Sequence, residues 1–385
     1  MIRRLFLSLL ACLALASPGW AQTAYIAFGD SITAGIVGDD PARTELGYPP
    51  RLEALLKAAS VDAVVENAGV GGETTGEGLT RINSVLNELA LSGDVLILME
   101  GTNDISRSVS VETIRANLNE MARRATDRGL SVIHATTIPR LPNAKFDAQN
   151  VTNTRLNQHV RDMAGRNSRK VTDLFEILGT TPDLFTRFYY QGTDDPVGHP
   201  NAAGYDLLAQ AFFDVIRNVD RVPPVTGVMT PAHGDKGVSS VQQITVDVWD
   251  FGAGIDLTGT TLLVNGTATG AAAVGDAKHA TLTFLPPAPL SGTVSVGLRS
   301  RDLATTPNTV DREVARFTVA GAQILTGDID QDGRVDGADL LRFARRFGAR
   351  FGDALYLASA DFNEDGSIDG QDLAVLASNF GKSGG

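Results

Sequence analysis

From residue 24 to about residue 220, short apolar runs alternate with amphipathic stretches. The apolar runs at 24–29, 61–66, 94–100, 131–137 and 170–174 predict strands, and DVLILME at 94–100 is the clearest of them. Apolar positions at helical spacing predict helices over 48–59, 75–91, 110–128, 152–166 and 201–218. Strands and helices in alternation predict a parallel sheet covered on both faces. The first run stops at Gly29 and Asp30, and Ser31 follows at once. A strand ending there presents a serine hydroxyl at the carboxyl edge of the sheet, where open α/β sheets bind ligands. A serine at a strand end otherwise serves simply as a helix N-cap. The choice between the two turns on what the other strand ends carry.

The texture changes at RVPPVTGVMTP, residues 221–231, a proline-rich boundary. Residues 222–320 hold short β-type runs (ITVDVWD, TLLVNG, ATLTF, VSVGLRSRD, VARFTV) separated by Gly, Asn, Asp and Pro. Such spacing predicts an all-β sandwich, and no catalytic constellation lies in it. Residues 327–381 then repeat themselves, as GDIDQDGRVDGADLLRFARRFG and ADFNEDGSIDGQDLAVLASNFG, with Asp328 and Asp361 in equivalent places. Self-similarity of this kind marks a duplicated supersecondary unit.

The N-terminus carries Arg3 and Arg4, an apolar stretch from Leu5 to Ala16, and small residues up to Ala21. The apolar stretch is too short to span a bilayer, and the pattern predicts a secretory signal cleaved after Ala21. The one cysteine, Cys12, lies inside it. A lipoprotein alternative at Leu9-Leu10-Ala11-Cys12 is opposed by the apolar run continuing past the cysteine. Without it, the mature chain has no thiol and no disulfide. The expected division is therefore signal 1–21, α/β domain 22–221, β-sandwich 222–322 and repeat domain 324–385. With 43% hydrophobic and 20% charged residues the chain is folded rather than disordered. A net charge of −12 argues against nucleic-acid binding, which needs a basic stripe.

A serine hydroxyl needs a base within hydrogen-bond reach, and the base needs an orienting acid. Of five histidines, His134 lies within the strand SVIHATT and reads as core, and His159 falls on a predicted helix. His233 and His279 belong to the β-region. His199 lies in the polar loop QGTDDPVGHPNAAGY, just before the last helix, and is the best-placed base. Oxyanion donors are available at two further strand ends, in VVENAGVGGETT and in EGTND. Glycines there let the backbone approach a substrate, although the same residues also make ordinary turns.

Taken together, GDSIT, NAGVGGETT, GTND and the late HPN resemble, in order and spacing, the four blocks of the SGNH (GDSL-type) hydrolases. The resemblance covers residues 24–219 and implies a flavodoxin-like, three-layer α/β fold with a five-stranded parallel sheet. It implies Ser31 as nucleophile, with its own N–H, the N–H of Gly72 and the side-chain amide of Asn103 as oxyanion donors. His199 is implied as the base. The family places its acid three residues before the histidine, and here that position is Pro196. Asp195, Asp194 or a backbone carbonyl are the alternatives for orienting the ring, with Asp195 favoured. The segments 140–150 and 176–193, the latter with Phe185, Phe188, Tyr189 and Tyr190, are candidate acyl-pocket walls or ordinary packing. DFGAGID followed by VNG resembles bacterial immunoglobulin-like modules.

Calcium takes six or more oxygens from alternating positions of a twelve-residue loop with Gly at position 6. The first repeat offers Asp328, Asp330, Asp332, Asp336 and Asp339, with Gly333 and the carbonyl of Arg334. The second offers Asp361, Asn363, Asp365, Asp369 and Asp372, with Gly366 and the carbonyl of Ser367. The paired loop–helix units resemble dockerin domains, which implies structural calcium and a cohesin-like or cell-surface partner. Gly337-Ala338 and Gly370-Gln371 depart from the hydroxyl or basic pairs usual for cohesin contact. The expectation is a secreted serine esterase needing no catalytic cofactor. An O-acetyl esterase acting on polysaccharides and a non-catalytic surface-binding protein are its alternatives.

Overall fold

The computed structural model describes residues 22–37, 47–142, 144–191, 198–320, 325–330, 333–350, 353, 355–363 and 365–383. The signal expected over 1–21 lies outside them.

Five parallel strands, β1 (Thr23–Gly29), β2 (Ala63–Gly69), β3 (Val95–Met99), β4 (Ser131–Ala135) and β5 (Lys170–Thr172), form one sheet in the order β2-β1-β3-β4-β5. This is the order of doubly wound flavodoxin-like sheets, in which the connection reverses between β1 and β3. Alternate residues of β1 serve opposite faces. Tyr25 and Ala27 join one core, and Ala24, Ile26 and Phe28 the other. The first core is closed by α2 (Tyr48–Ala58), α7 (Leu174–Gly179), α8 (Leu184–Arg187) and α9 (Ala202–Ile216). The second is closed by α3 (Thr75–Leu89), α5 (Val111–Thr126) and α6 (Ala144–Arg166). Two short helices sit at strand ends, α1 (Ser31–Ala34) after β1 and α4 (Thr102–Ser106) after β3.

The predicted strands and long helices are present, with shifted limits. Strand β2 runs to Gly69, so the first residues of the NAGVGG block are strand rather than loop. Helix α6 begins at Ala144, so much of the segment 140–150 is helical. Tyr189 is fully buried, and Phe185, Phe188 and Tyr190 pack against the α2/α9 core. Those four aromatics are packing residues, not lining of the cleft that holds Ser31.

Beyond residue 221 come two four-stranded antiparallel sheets, ordered β10-β11-β7-β6 and β13-β12-β8-β9. Their strands are β6 (Val225–Thr230), β7 (Ile244–Trp249), β8 (Thr261–Val264), β9 (Thr267–Ala268), β10 (Ala272–Gly275), β11 (His279–Phe284), β12 (Thr293–Arg301) and β13 (Thr309–Thr318). Strand β6 arises within the stretch read as a boundary. Its prolines fall just outside it, at Pro223, Pro224 and Pro231, and it pairs with β7 alone, where edge strands tolerate such flanks.

This module docks on α6. The Trp249 ring lies where a Cβ on Gly165 would stand 2.3 Å from its Cζ3, so only glycine fits there. Its Nε1 donates to Asp162 at 2.5 Å. Arg161, buried, donates twice to Asp173 at 2.6 and 2.9 Å and once to the Thr226 carbonyl of β6. At the chain's end, α10 (Gly337–Ala344) and α11 (Gly370–Asn379) enclose a small core of Val335, Phe343, Ile368 and Leu376. Among the described residues no helix is long and apolar enough to cross a membrane.

His134 occupies β4 with no exposure, and burial lowers its pKa to about 3. The folded value lies below the ordinary one near 6.5, so the unfolded chain takes up the proton first as pH falls. Its contribution is complete above about pH 6.5 and is lost progressively towards about pH 3. His134→Leu should therefore lose less melting temperature than the wild type between about pH 7 and about pH 5. Identical losses in both proteins would show that His134 is not the titrating group.

Candidate active site

The site forms where β1 stops. A Cβ on Gly29 would stand 2.2 Å from both the Met99 carbonyl and Thr33 Oγ1, so the turn needs glycine to lie this close to β3. Asp30 then caps α1, its Oδ1 accepting from the Ile32 N–H at 2.9 Å. Ser31 is the first helical residue, and the N–H at that position has no partner within the helix.

His199 reaches this point from the loop before α9. Its Nε2 lies 2.8 Å from Ser31 Oγ, and both side chains are buried. Asn201, two residues on, caps α9 by accepting from Gly204 N–H at 3.0 Å. Its amide donates to the Arg187 and Tyr189 carbonyls at 2.9 and 3.0 Å, which fixes the loop. Asp194, Asp195 and Pro196 lie outside the described residues.

Asn103 sits on α4 at the end of β3. Its Nδ2 donates to the Glu73 carbonyl at 2.9 Å, leaving the second amide hydrogen for another acceptor. Gly72 lies on the turn after β2 with φ of +76°, and Arg107 donates to its carbonyl at 2.9 Å. Ser31, Asn103 and His199 line one cleft with Ile32, Thr102, Ser106, Ile138, Pro139, Arg140 and Gly198. Gly72 is not among the lining residues; Asn103 donates to the carbonyl of Glu73, the residue that follows Gly72. Asp104, next to Asn103, accepts from Thr75 N–H at 2.8 Å and Thr75 Oγ1 at 2.6 Å, tying α4 to the start of α3.

The buried acids Asp30 and Glu100 lie beneath this site, and the strand and loop patterns did not single out Glu100. Asp30 has no hydrogen-bond partner for Oδ2, and burial raises its pKa to about 6. Glu100 follows β3 with both oxygens buried and without donors. Burial and the neighbouring Glu73 carboxylate hold it far above the ordinary carboxylate range, so it is neutral at pH 7. Glu73 instead receives Arg81, whose Nε and Nη2 lie 2.8 and 2.5 Å from its oxygens. Arg81 also donates to the Ala68 carbonyl at 3.0 Å and covers the Phe28 ring at 4.1 Å. A glutamate closing an apolar run looks like any strand end, and only the tertiary pairing with Glu73 reveals it.

In the repeat domain, Asp328 Oδ2 accepts from Gly333 N–H at 2.8 Å, and Asp361 Oδ2 accepts from Gly366 N–H at 2.8 Å. Asp339 accepts from Ile329 and Asp336 N–H, and Asp372 from Phe362 and Asp369 N–H, so the two loops carry the same bonds in register. Asp336 and Asp369 cap α10 and α11. Asp328, Asp330 and Asp339 bring one oxygen each within 4.8 Å of the others, a hard-oxygen set that fits calcium. In the second loop Asn363 and Asp365 are bonded to each other, and the Tyr356 hydroxyl donates to Asp361. Arg334 and Ser367 lie in short antiparallel bridges with Ser383 and Arg350. Asp332 lies outside the described residues.

Removing the cation beneath the site should be costly. Arg81→Met leaves Glu73 buried beside Glu100 and is expected to lower unfolding free energy by about 1–3 kcal/mol in urea titration. An unchanged midpoint would mean that Glu73 is satisfied without it.

The comparisons with known proteins bear on the same segments. The model of the GDSL-like lipase/acylhydrolase family matches residues 27–207, and that of the dockerin type I domain matches residues 326–380. An arylesterase of Vibrio mimicus is 32% identical over 133 residues, 34% of this chain and 62% of that protein. Esterase TesA of Pseudomonas aeruginosa is 31% identical over 133 residues, 34% of this chain and 63% of that protein. The chain thus spans less than two thirds of the length of these relatives. The crystal structure of a lipase/acylhydrolase from Enterococcus faecalis aligns at 26% identity with a TM-score of 0.42, covering 51% of this chain and 96% of that one. Residues 27–207 of this chain are a GDSL-like lipase/acylhydrolase domain, and residues 326–380 are a dockerin type I domain.

Proposed function

We propose that this chain is a secreted serine hydrolase that cleaves carboxylic esters of short acyl groups through an acyl-enzyme on Ser31. The observation that carries this is the 2.8 Å contact between His199 Nε2 and Ser31 Oγ, beside Asn103, at the carboxyl edge of the sheet. His199 takes the hydroxyl proton as Oγ attacks the ester carbonyl, forming a tetrahedral oxyanion. The Ser31 and Gly72 N–H groups and the free Asn103 amide hydrogen receive that charge. Collapse expels the alcohol, protonated by His199, and water then frees the acid by the same steps. Asp195 orients the imidazole, with Asp194 as the alternative. No catalytic cofactor is needed for these steps.

The cleft at Ser31 is lined by the polar Thr102, Asn103, Ser106 and Arg140 beside only three apolar side chains, Ile32, Ile138 and Pro139. That favours acetyl over long acyl chains. A domain of the dockerin type supports a cohesin-like partner and an extracellular setting, and with them an O-acetylated polysaccharide as the substrate class. Calcium held by both loops is the structural ion of that domain. The domain limits we read are 22–221, 222–322 and 324–385.

Ser31→Ala should remove p-nitrophenyl acetate hydrolysis by roughly 10⁴-fold or more with the fold intact by circular dichroism. Asn103→Ala should lower kcat by roughly 10²–10³-fold. A wild type without turnover would favour the surface-binding alternative. In kcat/KM, the acetate ester should exceed the octanoate by about tenfold or more, and acetate release from acetylated xylan or pectin identifies the glycan substrate. Ligands stabilise only the state that binds them, so chelation should unfold residues 324–385 while the hydrolase stays folded. Equal melting of the tail with and without EDTA would remove calcium from this account.

A further inference from the structure

Three acids meet where the hydrolase hands over to the β-module. Asp220 lies on the segment after α9, Asp250 directly follows β7 of one sheet, and Asp302 directly follows β12 of the other. One carboxylate oxygen from each lies within 4.8 Å of the others. Asp250 is 2% exposed, and its Oδ2 has no hydrogen-bond partner. Its Oδ1 accepts from Gly252 and Gly254 N–H at 2.9 and 2.7 Å. Asp302 accepts from Ala304, Asn308 N–H and Asn308 Nδ2. Asp220 accepts from Val222 and Ala253 N–H at 3.2 and 2.7 Å.

Among the described residues no cation answers this charge. Among the described residues none of the three acids forms an ion pair. The nearby Arg221 and Arg301 are engaged by Asp214 and Asp256, and the Lys278 ammonium donates to the Gly252 carbonyl. These seven hydrogen bonds leave acceptor sites open, since each carboxylate offers about four. Asp328 shows the same habit, accepting a loop N–H while facing two other acids.

We propose that Asp220, Asp250 and Asp302 bind a calcium ion that clamps the linker to both sheets of the β-module. The donors are all hard oxygens, and oxygens on opposite sides of one calcium stand roughly 5 Å apart, which matches their spacing. Calcium also tolerates the irregular shell that loop carboxylates, carbonyls and water supply, whereas magnesium demands a near-ideal octahedron.

Trp249 adjoins Asp250, and the only other tryptophan, Trp20, lies in the N-terminal segment. Terbium bound here should therefore emit when tryptophan is excited. The full-length chain should show that emission, and calcium should displace it. Asp328→Asn combined with Asp361→Asn, which disables the dockerin loops, should leave it in place. Asp250→Asn and Asp302→Asn, each able to keep its backbone hydrogen bonds, should each reduce it at least about tenfold in a normally folded protein. Wild-type protein without tryptophan-sensitised emission, or emission unchanged in both asparagine variants, overturns the proposal and leaves the acids sharing protons.

Discussion

The close approach of the β1–α1 turn to the end of β3 governs this molecule. A side chain at residue 29 has no place to go, because the Met99 carbonyl and Thr33 Oγ1 already fill it. With glycine there, β1 can run fully buried to its last residue and still turn into a helix within one step. The turn sits where the sheet order reverses, so the chain leaves β1 and β3 in opposite directions and a cleft opens between them. Ser31 and Asn103 come from those two exits, and His199 arrives from a loop anchored over them.

The charges below the cleft follow from the same crowding. Strand ends bring Asp30, Glu73, Glu100 and Asp104 close together, and full ionisation of all four would crowd negative charge beneath the cleft. Each is handled differently. Asp104 is satisfied by Thr75, Glu73 by Arg81, and Glu100 by giving up its charge. Asp30 keeps one oxygen on the Ile32 N–H and titrates near 6. Loop positions that appear to serve only turns are thus also the electrostatic floor of the site.

Much of this was legible from periodicity. Long buried strands and amphipathic helices repeat strongly enough to place β1, β3 and the large helices; Ser31 and Asn103 stand out at strand ends, and His199 in the polar loop before the last helix. The losses have physical reasons. Strand β6 is flanked by prolines that read as linker, yet an edge strand needs few donors. The start of α6 carries Asn, Asp and Gln, which blur its apolar face. Phe185 and Tyr189 are aromatic next to the loop that carries His199, but whether they face a cleft or a core depends on α9, far along in sequence. Glu100 was invisible because its partner lies on another strand end.

The fit of Trp249 against Gly165 carries a further consequence. An indole from the second module fills a notch in a helix of the first, and Arg161 inside the first donates to a strand of the second. The α/β unit is therefore not a free-standing cassette that happens to carry appendages. Cut from its neighbour, it would expose an indole-shaped hollow and the side chains that line it. A transplant of this hydrolase to another scaffold would have to carry the β-module with it, or refill the notch at residue 165.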